Sequence, residues 1–312
     1  KVNKLNIASL KDVLGDMTLT NLLIEELDLS QINFNGNTLT LQCKQLNKIV
    51  GSETFNGSLF LLPKDCRLTE FTLEGISNIQ GDFQCKDYSY VKEFVMPFIR
   101  VAGDMTIALN SGSVNTAAEI EFPKLQEIGG TLTLGSNSNA NNIAFPSLKK
   151  ILGSCSVTTT DLKNDIEFTN LESIGTDGAD EQIKFEIEAT NILCPKLKTI
   201  NGKFDIATSS FMFGMEVDKV SYPNVESISE NLSITCPYSD FGSNGILSID
   251  FSGLKSAKGI SISGQGDVTD FSSFKYLFEN NVLTGESQWS VKECGYNPTF
   301  QEMKDGKYKL AE

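Results

Sequence analysis

The sequence predicts an all-β protein, a right-handed parallel β-helix or leucine-rich solenoid of about ten rungs. Three observations predict this fold: one motif occurs six times, apolar residues alternate at both ends of a copy, and sustained helical periodicity is missing. The motif reads FPKLQEIGGTLTL at 122–134 and returns in related form at 145–157, 168–175, 194–206, 222–234 and 251–262. Its first Leu or Val recurs at steps of 23, 23, 26, 28 and 29 residues, a period typical of solenoids.

Each copy predicts a strand, a corner, a turn and a second strand. In residues 120–134 the alternating ends indicate short strands with one buried face, and the middle spacing of three indicates a bent corner. Pro123 suits that corner because it cannot donate to a sheet ladder. A glycine recurs before the second strand, where a turn can require a positive φ: Gly130, Gly153, Gly202 and Gly259. The constant order of these elements favours parallel strands, and short helices are expected only at 272–279 and near 4–14.

A single rung cannot bury its own apolar residues, so we expect stacked rungs to form internal columns. Burial of apolar surface, at about 25 cal/mol per Å², then supplies the folding energy. One predicted column holds Leu125, Leu148, Leu171, Leu197, Val225 and Leu254, and another holds Phe122, Phe145, Phe168, Tyr222 and Phe251.

Weaker copies of the motif at 9–19, 75–85 and 97–107 extend the repeat toward the N-terminus. We therefore expect one elongated body with two halves of different regularity. Residues 1–118 form the less regular half, residues 119–294 form a regular half continuous with it, and residues 295–312 form a C-terminal tail.

The charge balance excludes several partners. The chain of 312 residues carries a net charge of −14, with 26 basic residues against 40 acidic ones. No basic run exceeds two residues, which disfavours nucleic acid and anionic membrane surfaces as partners. No apolar stretch approaches the roughly 20 residues that span a bilayer.

Seven cysteines and two sequons bear on the compartment. Without histidine or a Cys-x-x-Cys pair, a zinc site is not expected. We expect four or six of the cysteines to form disulfides, with Cys294 closing the C-terminal end; the alternative is that Cys155 and Cys194 serve as small buried hydrophobes. Asn56 and Asn231 begin the sequons Asn-Gly-Ser and Asn-Leu-Ser and are the candidate glycosylation sites.

The search for catalytic chemistry returns no candidate residue. The absence of histidine removes Ser–His and Cys–His nucleophiles. Asp16, Asp82 and Asp104 each follow the turn glycine; a cation column is one reading, but solvated turn caps are the stronger one. We therefore predict no enzyme, no cofactor and no metal site.

Two loops are candidate contact surfaces. Residues 209–218 carry Phe211, Met212, Phe213 and Met215 where other rungs have polar linkers. These four are the candidate partner contacts, unless the loop packs onto the side of the solenoid. The polar stretch GSNSNANN at 135–142 is expected to be solvated, although Asn-rich loops can hydrogen-bond sugars.

The phrase at 122–134 resembles the repeat of receptor L domains, the leucine-rich β-helix modules of insulin- and EGF-type receptors. With SLKDVLGDMTLTN (9–21), GISNIQGDF (75–83) and FPSLKKILGSCSVTTT (145–160), most of residues 8–264 looks like the fungal GPI-anchored cell-wall organisation and sporulation proteins. This resemblance implies a secreted, glycosylated glycoprotein at the plasma membrane or cell wall, whose partners are wall polysaccharide or surface proteins. It implies membrane attachment only through a lipid anchor outside these residues.

Three functions remain in competition. The first is a non-enzymatic cell-surface protein acting in cell-wall or spore-wall organisation. The second is a receptor-like ectodomain or adhesin that binds a protein ligand. The third is a β-helical enzyme acting on polysaccharide.

Overall fold

A computed structural model of the protein describes residues 5, 7, 9–63, 66–88, 90–109, 118–135, 140–158, 166–177, 184–187, 192–207, 219–236, 248–266 and 268–311. Strands account for 43% of the chain and helices for 7%, so the predicted all-β class is confirmed. Stacked parallel strands form a β-solenoid. The right hand of the coil and the number of rungs, about ten, stay predictions.

The chain divides into two compact units. The first comprises Lys1–Gly153 with Asp161–Thr169, and the second comprises Ser154–Thr160 with Asn170–Glu312. The division into halves after residue 118 stays a prediction.

The first unit contains a long parallel sheet with one strand from each successive rung. Neighbouring strands lie in strict register, so that Leu39 pairs with Met17 on one side and with Leu59 on the other. The inward side chains of these strands are mostly fully buried. The strands are Met17–Thr20, Thr38–Gln42, Ser58–Leu61, Phe83–Lys86, Met105–Ala108 and Leu132–Gly135.

Shorter strands form the other sides of each rung in this unit. The corner side consists of Thr54–Phe55, Asn78–Ile79, Arg100–Val101, Glu127–Ile128 and Lys150–Ile151. The third side consists of Glu26–Asp28, Lys48–Val50 and Thr72–Glu74, followed by Glu93–Val95, Ala118–Glu121, Ala140–Ala144 and Ile166–Glu167. The pairings between these strands are parallel wherever the structure describes them, as predicted.

The second unit repeats this arrangement. Its long sheet consists of Cys155–Thr158, Lys184–Ile187, Lys203–Ala207, Asn231–Cys236, Gly259–Gly266 and Trp289–Cys294. Its corner side consists of Ser173–Ile174, Thr199–Ile200 and Ser227–Ile228, and further strands are Ile192–Leu193, Lys219–Ser221 and Ser248–Asp250.

Short helices close the C-terminal end of the second unit. The expected helical piece at 272–279 is confirmed as a 3-10 turn, Ser272–Phe274, followed by the α-helix Lys275–Glu279. The 3-10 turn Glu286–Gln288 and the α-helix Phe300–Lys304 were not predicted. No helix occurs among the described residues of 5–14, so that expectation was wrong there. Phe274 and Phe278 of the first turn and helix pack on Trp289, whose Nε1 donates to the carbonyl oxygen of Pro298 at 2.8 Å.

The predicted columns form the core. Leu125 and Leu148 in the first unit have no exposed surface, and neither do Leu171, Leu197, Val225 and Leu254 in the second. The rings of Phe122, Phe145 and Phe168 stack in sequence, with centroids 5.0 and 5.1 Å apart and nearly parallel planes. Such like-on-like stacking adds a favourable ring interaction to the burial of each side chain.

The recurrent glycines serve a purpose other than the predicted one. Positive φ occurs at Gly36, Gly75, Gly175, Gly264 and Gly306, and not at Gly130, Gly153, Gly202 or Gly259. A β-carbon on Gly153 would instead meet the carbonyl carbon of Gly130 at 2.6 Å. In the first unit these glycines are therefore needed because successive rungs approach too closely for a side chain.

Candidate functional site

The long sheet of the first unit presents one uncharged row of side chains outward. Because successive residues of a strand face opposite sides, register alone decides which residues share the row. The row, called the outer row below, consists of Thr18, Thr40, Phe60, Gln84, Thr106 and Thr133 on six consecutive strands. Thr18 is exposed and the other five are partly exposed.

The polar members of the outer row have free hydrogen-bonding capacity. Within the part of the chain that the structure describes, the side chains of Thr40, Gln84 and Thr106 make no hydrogen bond to the protein, and the ring of Phe60 contacts no other aromatic ring. A threonine hydroxyl both donates and accepts, and a glutamine amide offers two donors and an acceptor. The row thus combines one apolar ring with flanking neutral hydrogen-bonding groups.

A second row, beside the outer row at the N-terminal ends of the strands, contains the three predicted turn carboxylates. Oδ1 of Asp16 accepts from the amide of Thr38 at 2.8 Å, and Oδ1 of Asp82 accepts from the amide of Asp104 at 2.8 Å. Oδ1 of Asp104 in turn accepts from the amide of Thr131 at 2.7 Å. Each carboxylate therefore stabilises the turn of the following rung, which confirms that these residues are turn caps.

Serines perform the same task on other rungs. Oγ of Ser58 accepts from the amide of Asp82 at 2.9 Å, and in the second unit Oγ of Ser154 accepts from the amide of Lys184 at 3.1 Å. The position therefore requires a short side-chain acceptor rather than a negative charge. Among the described residues, no group of three or more Cys, Asp or Glu is arranged to hold a metal ion.

The third row of this face lies on the other side of the outer row and is also nearly uncharged. Register places Thr20 beside Gln42, and Lys86 beside Ala108. Lys86 is the only charged residue among these four. The charges of the face are therefore three carboxylates in the second row and one ammonium group in the third, a balance that does not attract an anionic partner.

The corner positions of the second unit carry charges of alternating sign, a feature that the sequence analysis missed. Backbone hydrogen bonds join Glu172, Lys198, Glu226 and Lys255 in consecutive order. Nζ of Lys255 lies 2.8 Å from Oε2 of Glu226, and this hydrogen bond is the main reason that the pKa of Glu226 is lowered. Because these side chains are solvated, the attraction between the alternating charges contributes little stability.

Both candidate glycosylation sites are exposed. Asn56 lies between two strands, and its Nδ2 donates to Oδ1 of Asn33 at 3.2 Å. Asn231 is the first residue of its strand, in register with Gly259. Accessible side chains are necessary for modification, and the attachment of glycans stays a prediction.

The candidate partner contacts Phe211, Met212, Phe213 and Met215 lie outside the described residues. Residues 136–139 of the polar loop lie outside them as well. Contact through either loop stays a prediction.

The prediction that four or six cysteines form disulfides is wrong, because Cys43, Cys66, Cys85, Cys155 and Cys194 are buried free thiols. Cys294 is partly exposed, and its role in closing the C-terminal end stays a prediction. The structure does not describe the side chain of Cys236.

The physical reason is that these cysteines occupy inward positions of the repeat. Cys85 stands in register between Leu61 and Ile107, and Cys155 stands opposite Phe185. Burial raises the pKa of the Cys85, Cys155 and Cys194 thiols, which keeps them neutral. The alternative interpretation, that Cys155 and Cys194 are small hydrophobes, is therefore correct.

Among the residues that the structure describes, no helix is long and apolar enough to cross a membrane.

The chain matches no family model, no curated protein and no solved structure. The fold defines the protein as a β-solenoid, and the long sheet of its first unit presents an uncharged, hydroxyl-rich outer row.

Proposed function

We propose that the protein is a non-enzymatic cell-surface protein that contributes to fungal cell-wall or spore-wall organisation and is held at the surface by a GPI anchor. The likeness of its repeat to that of such proteins motivates the compartment and the role. The rows of the long sheet support a contact surface, because regular rungs present the same chemistry over many strands.

One observation carries the non-enzymatic part of this proposal. Asp16, Asp82 and Asp104, the acids that the repeat aligns, each accept a backbone hydrogen bond from the next rung. A glycoside-cleaving site needs two carboxylates about 5–9.5 Å apart that are free to exchange protons or attack the sugar. Carboxylates engaged in turn capping are poorly suited to that task, so contact is favoured over cleavage.

The free thiols bear on the compartment. Disulfides are common in small secreted domains that lack a sufficient core. Each unit of this solenoid has its own core of buried leucine and phenylalanine side chains, so neither needs cross-links to supply its folding energy. The proposed surface location therefore rests on the repeat and on the sequons at Asn56 and Asn231.

The test uses the full-length gene product with an internal epitope tag in its source organism. We expect surface labelling of intact cells, release by phosphatidylinositol-specific phospholipase C, and altered sensitivity to wall-perturbing dyes when the gene is deleted. Labelling only after permeabilisation would overturn the location. A membrane-spanning segment in place of a lipid anchor would favour the receptor-like alternative instead.

A further inference from the structure

We propose that the outer row of the first unit binds an extended neutral polysaccharide that runs along the stacking direction of the strands. This inference deepens the proposed function, since it names the class of partner and the face that contacts it. It rests on the spacing, the chemistry and the charge of the six residues of the row.

The spacing of the row matches a polymer of hexoses. Neighbouring strands lie about 4.8 Å apart, so six strands span about 24 Å. One residue of an extended β-1,4-linked hexose chain has nearly the length of one such step. A polymer lying along the stack can therefore place one sugar over each strand, and the register that aligns Thr40, Phe60 and Gln84 repeats with the polymer.

The chemistry of the row suits a sugar ring. Phe60 offers a partly exposed apolar face against which the C–H face of a pyranose can pack, with Thr40 on one neighbouring strand and Gln84 on the other. The free hydroxyl and amide groups of these neighbours can donate to and accept from sugar hydroxyls. Ligand sites commonly combine an apolar surface with a few fixed polar groups in this way.

The charge of the row selects a neutral polymer over an anionic one. None of the six side chains is charged, so the row offers no partner to an anionic group, and the carboxylates of the adjoining turn row would repel one. The corresponding row of the second unit differs, because Asp205 stands in register with Ser233, followed by Ser261 and Ser290. That row carries the carboxylate of Asp205, and its three serines offer no ring for a sugar to pack against. The first unit is therefore the expected site.

The experiment titrates the full chain with laminarihexaose and with cellohexaose by isothermal titration calorimetry, with hexagalacturonate as the anionic comparison. We expect cellohexaose to bind, because its β-1,4-linked residues can repeat with the strands, and we expect weaker binding of the curved laminarihexaose and much weaker binding of the anionic ligand. Phe60→Ala should weaken the neutral ligand about tenfold through loss of ring packing. Gln84→Glu, which keeps the side-chain volume, should also weaken it.

Ser261→Ala in the second unit is the matched control, because it alters the equivalent row where no binding is expected. The affinity of Ser261→Ala for the neutral hexasaccharide should equal that of the unsubstituted protein. Melting temperatures should establish that every variant is folded. If neither neutral ligand binds, or if Phe60→Ala and Gln84→Glu both bind as tightly as the unsubstituted protein, the inference is overturned. Surface location and the deletion phenotype would then be unaffected, so the two proposals fail separately.

Discussion

The backbone amide of Gly103 donates to the carbonyl oxygen of Gly81 at 3.0 Å, and the two residues leave no room for a β-carbon between them. A β-carbon on Gly103 would lie 2.9 Å from the carbonyl carbon of Gly81 and 2.0 Å from Oδ1 of Asp82. The same close approach joins Gly81 to Gly57, and Gly153 to Gly130. The glycine of the motif thus allows backbone to stack on backbone at one edge of the long sheet.

Gly103→Ala is predicted to destabilise the protein by about 1–3 kcal/mol, because overpacking shifts backbone that cannot yield cheaply. Equilibrium unfolding in urea would measure the loss. Gly15→Ala is the matched control: Gly15 precedes the first long-sheet strand, and its β-carbon would meet nothing within 4 Å. That variant should remain within about 0.5 kcal/mol of the unsubstituted protein. Equal effects of the two changes would contradict the steric explanation.

Asp82 should stabilise the turn through its acceptor oxygen and not through its charge. Asp82→Ala leaves the amide of Asp104 without its 2.8 Å partner, which we expect to cost about 1–2 kcal/mol. Asp82→Asn retains an acceptor oxygen, so it should lose clearly less stability than Asp82→Ala. Thermal unfolding with and without added Ca²⁺ would compare them. A large stabilisation by Ca²⁺ that Asp82→Ala abolishes would restore the cation-column interpretation.

The core of this fold could be predicted from the sequence because packing imposes a period. Leu125, Leu148 and Leu171 are buried where the repeat placed them, since equivalent positions on stacked rungs must meet. The role of Gly153 could not be predicted, because a recurrent glycine is equally consistent with positive φ and with close approach. Only the distance between neighbouring rungs, which the structure gives, distinguishes a positive φ from a close approach as the reason for the glycine.

The outer row was harder to predict for a related reason. Residues 58–62 read SLFLL, and this apolar run obscures which side chains face outward. The pairing of Phe60 with Thr40 shows that Phe60 faces outward, but pairing partners 20 residues apart are not evident from an irregular repeat.

The thiols were difficult to predict for a similar reason, because the spacing of two cysteines along the chain does not tell whether their side chains meet. The inward register of Cys85 explains its lack of a bridge.

Leu171→Asp is predicted to unfold the second unit or to destabilise it by several kcal/mol, because an unpaired carboxylate would replace a fully buried leucine. Leu193→Asp is the control within the same unit, since that leucine is 46% exposed. Circular dichroism and urea unfolding would compare the two variants. A stable, soluble Leu171→Asp protein would contradict the column.

Cysteine reactivity should follow burial. Brief treatment of the native protein with iodoacetamide at neutral pH should leave Cys43, Cys66, Cys85, Cys155 and Cys194 unmodified, because these five are buried. Peptide mass mapping would locate any adducts, and treatment in denaturant without reductant should modify all five. Failure of these thiols to react in denaturant until reductant is added would mean that disulfides exist in solution.

Stability should fall at alkaline pH because buried thiols must stay protonated in the folded state. Burial raises the pKa of Cys85, Cys155 and Cys194 above the ordinary thiol value, so the folded state binds more protons than the unfolded state once the pH exceeds that value. Their contribution is complete below an ordinary pKa of about 8.5 and declines as the pH rises beyond it. Each such thiol should lower the free energy of unfolding by up to about 1.4 kcal/mol per pH unit.

The Cys155→Val variant isolates one of these thiols, because valine is apolar, suits a strand and does not titrate. Urea unfolding of both proteins at intervals from pH 7 to 10.5 would measure the difference in stability. We expect this difference to be constant up to about pH 8 and then to move in favour of the variant, since only the unsubstituted protein loses the Cys155 contribution. Two curves that stay parallel up to pH 10.5 would mean that Cys155 ionises alike in the folded and unfolded states, against its complete burial.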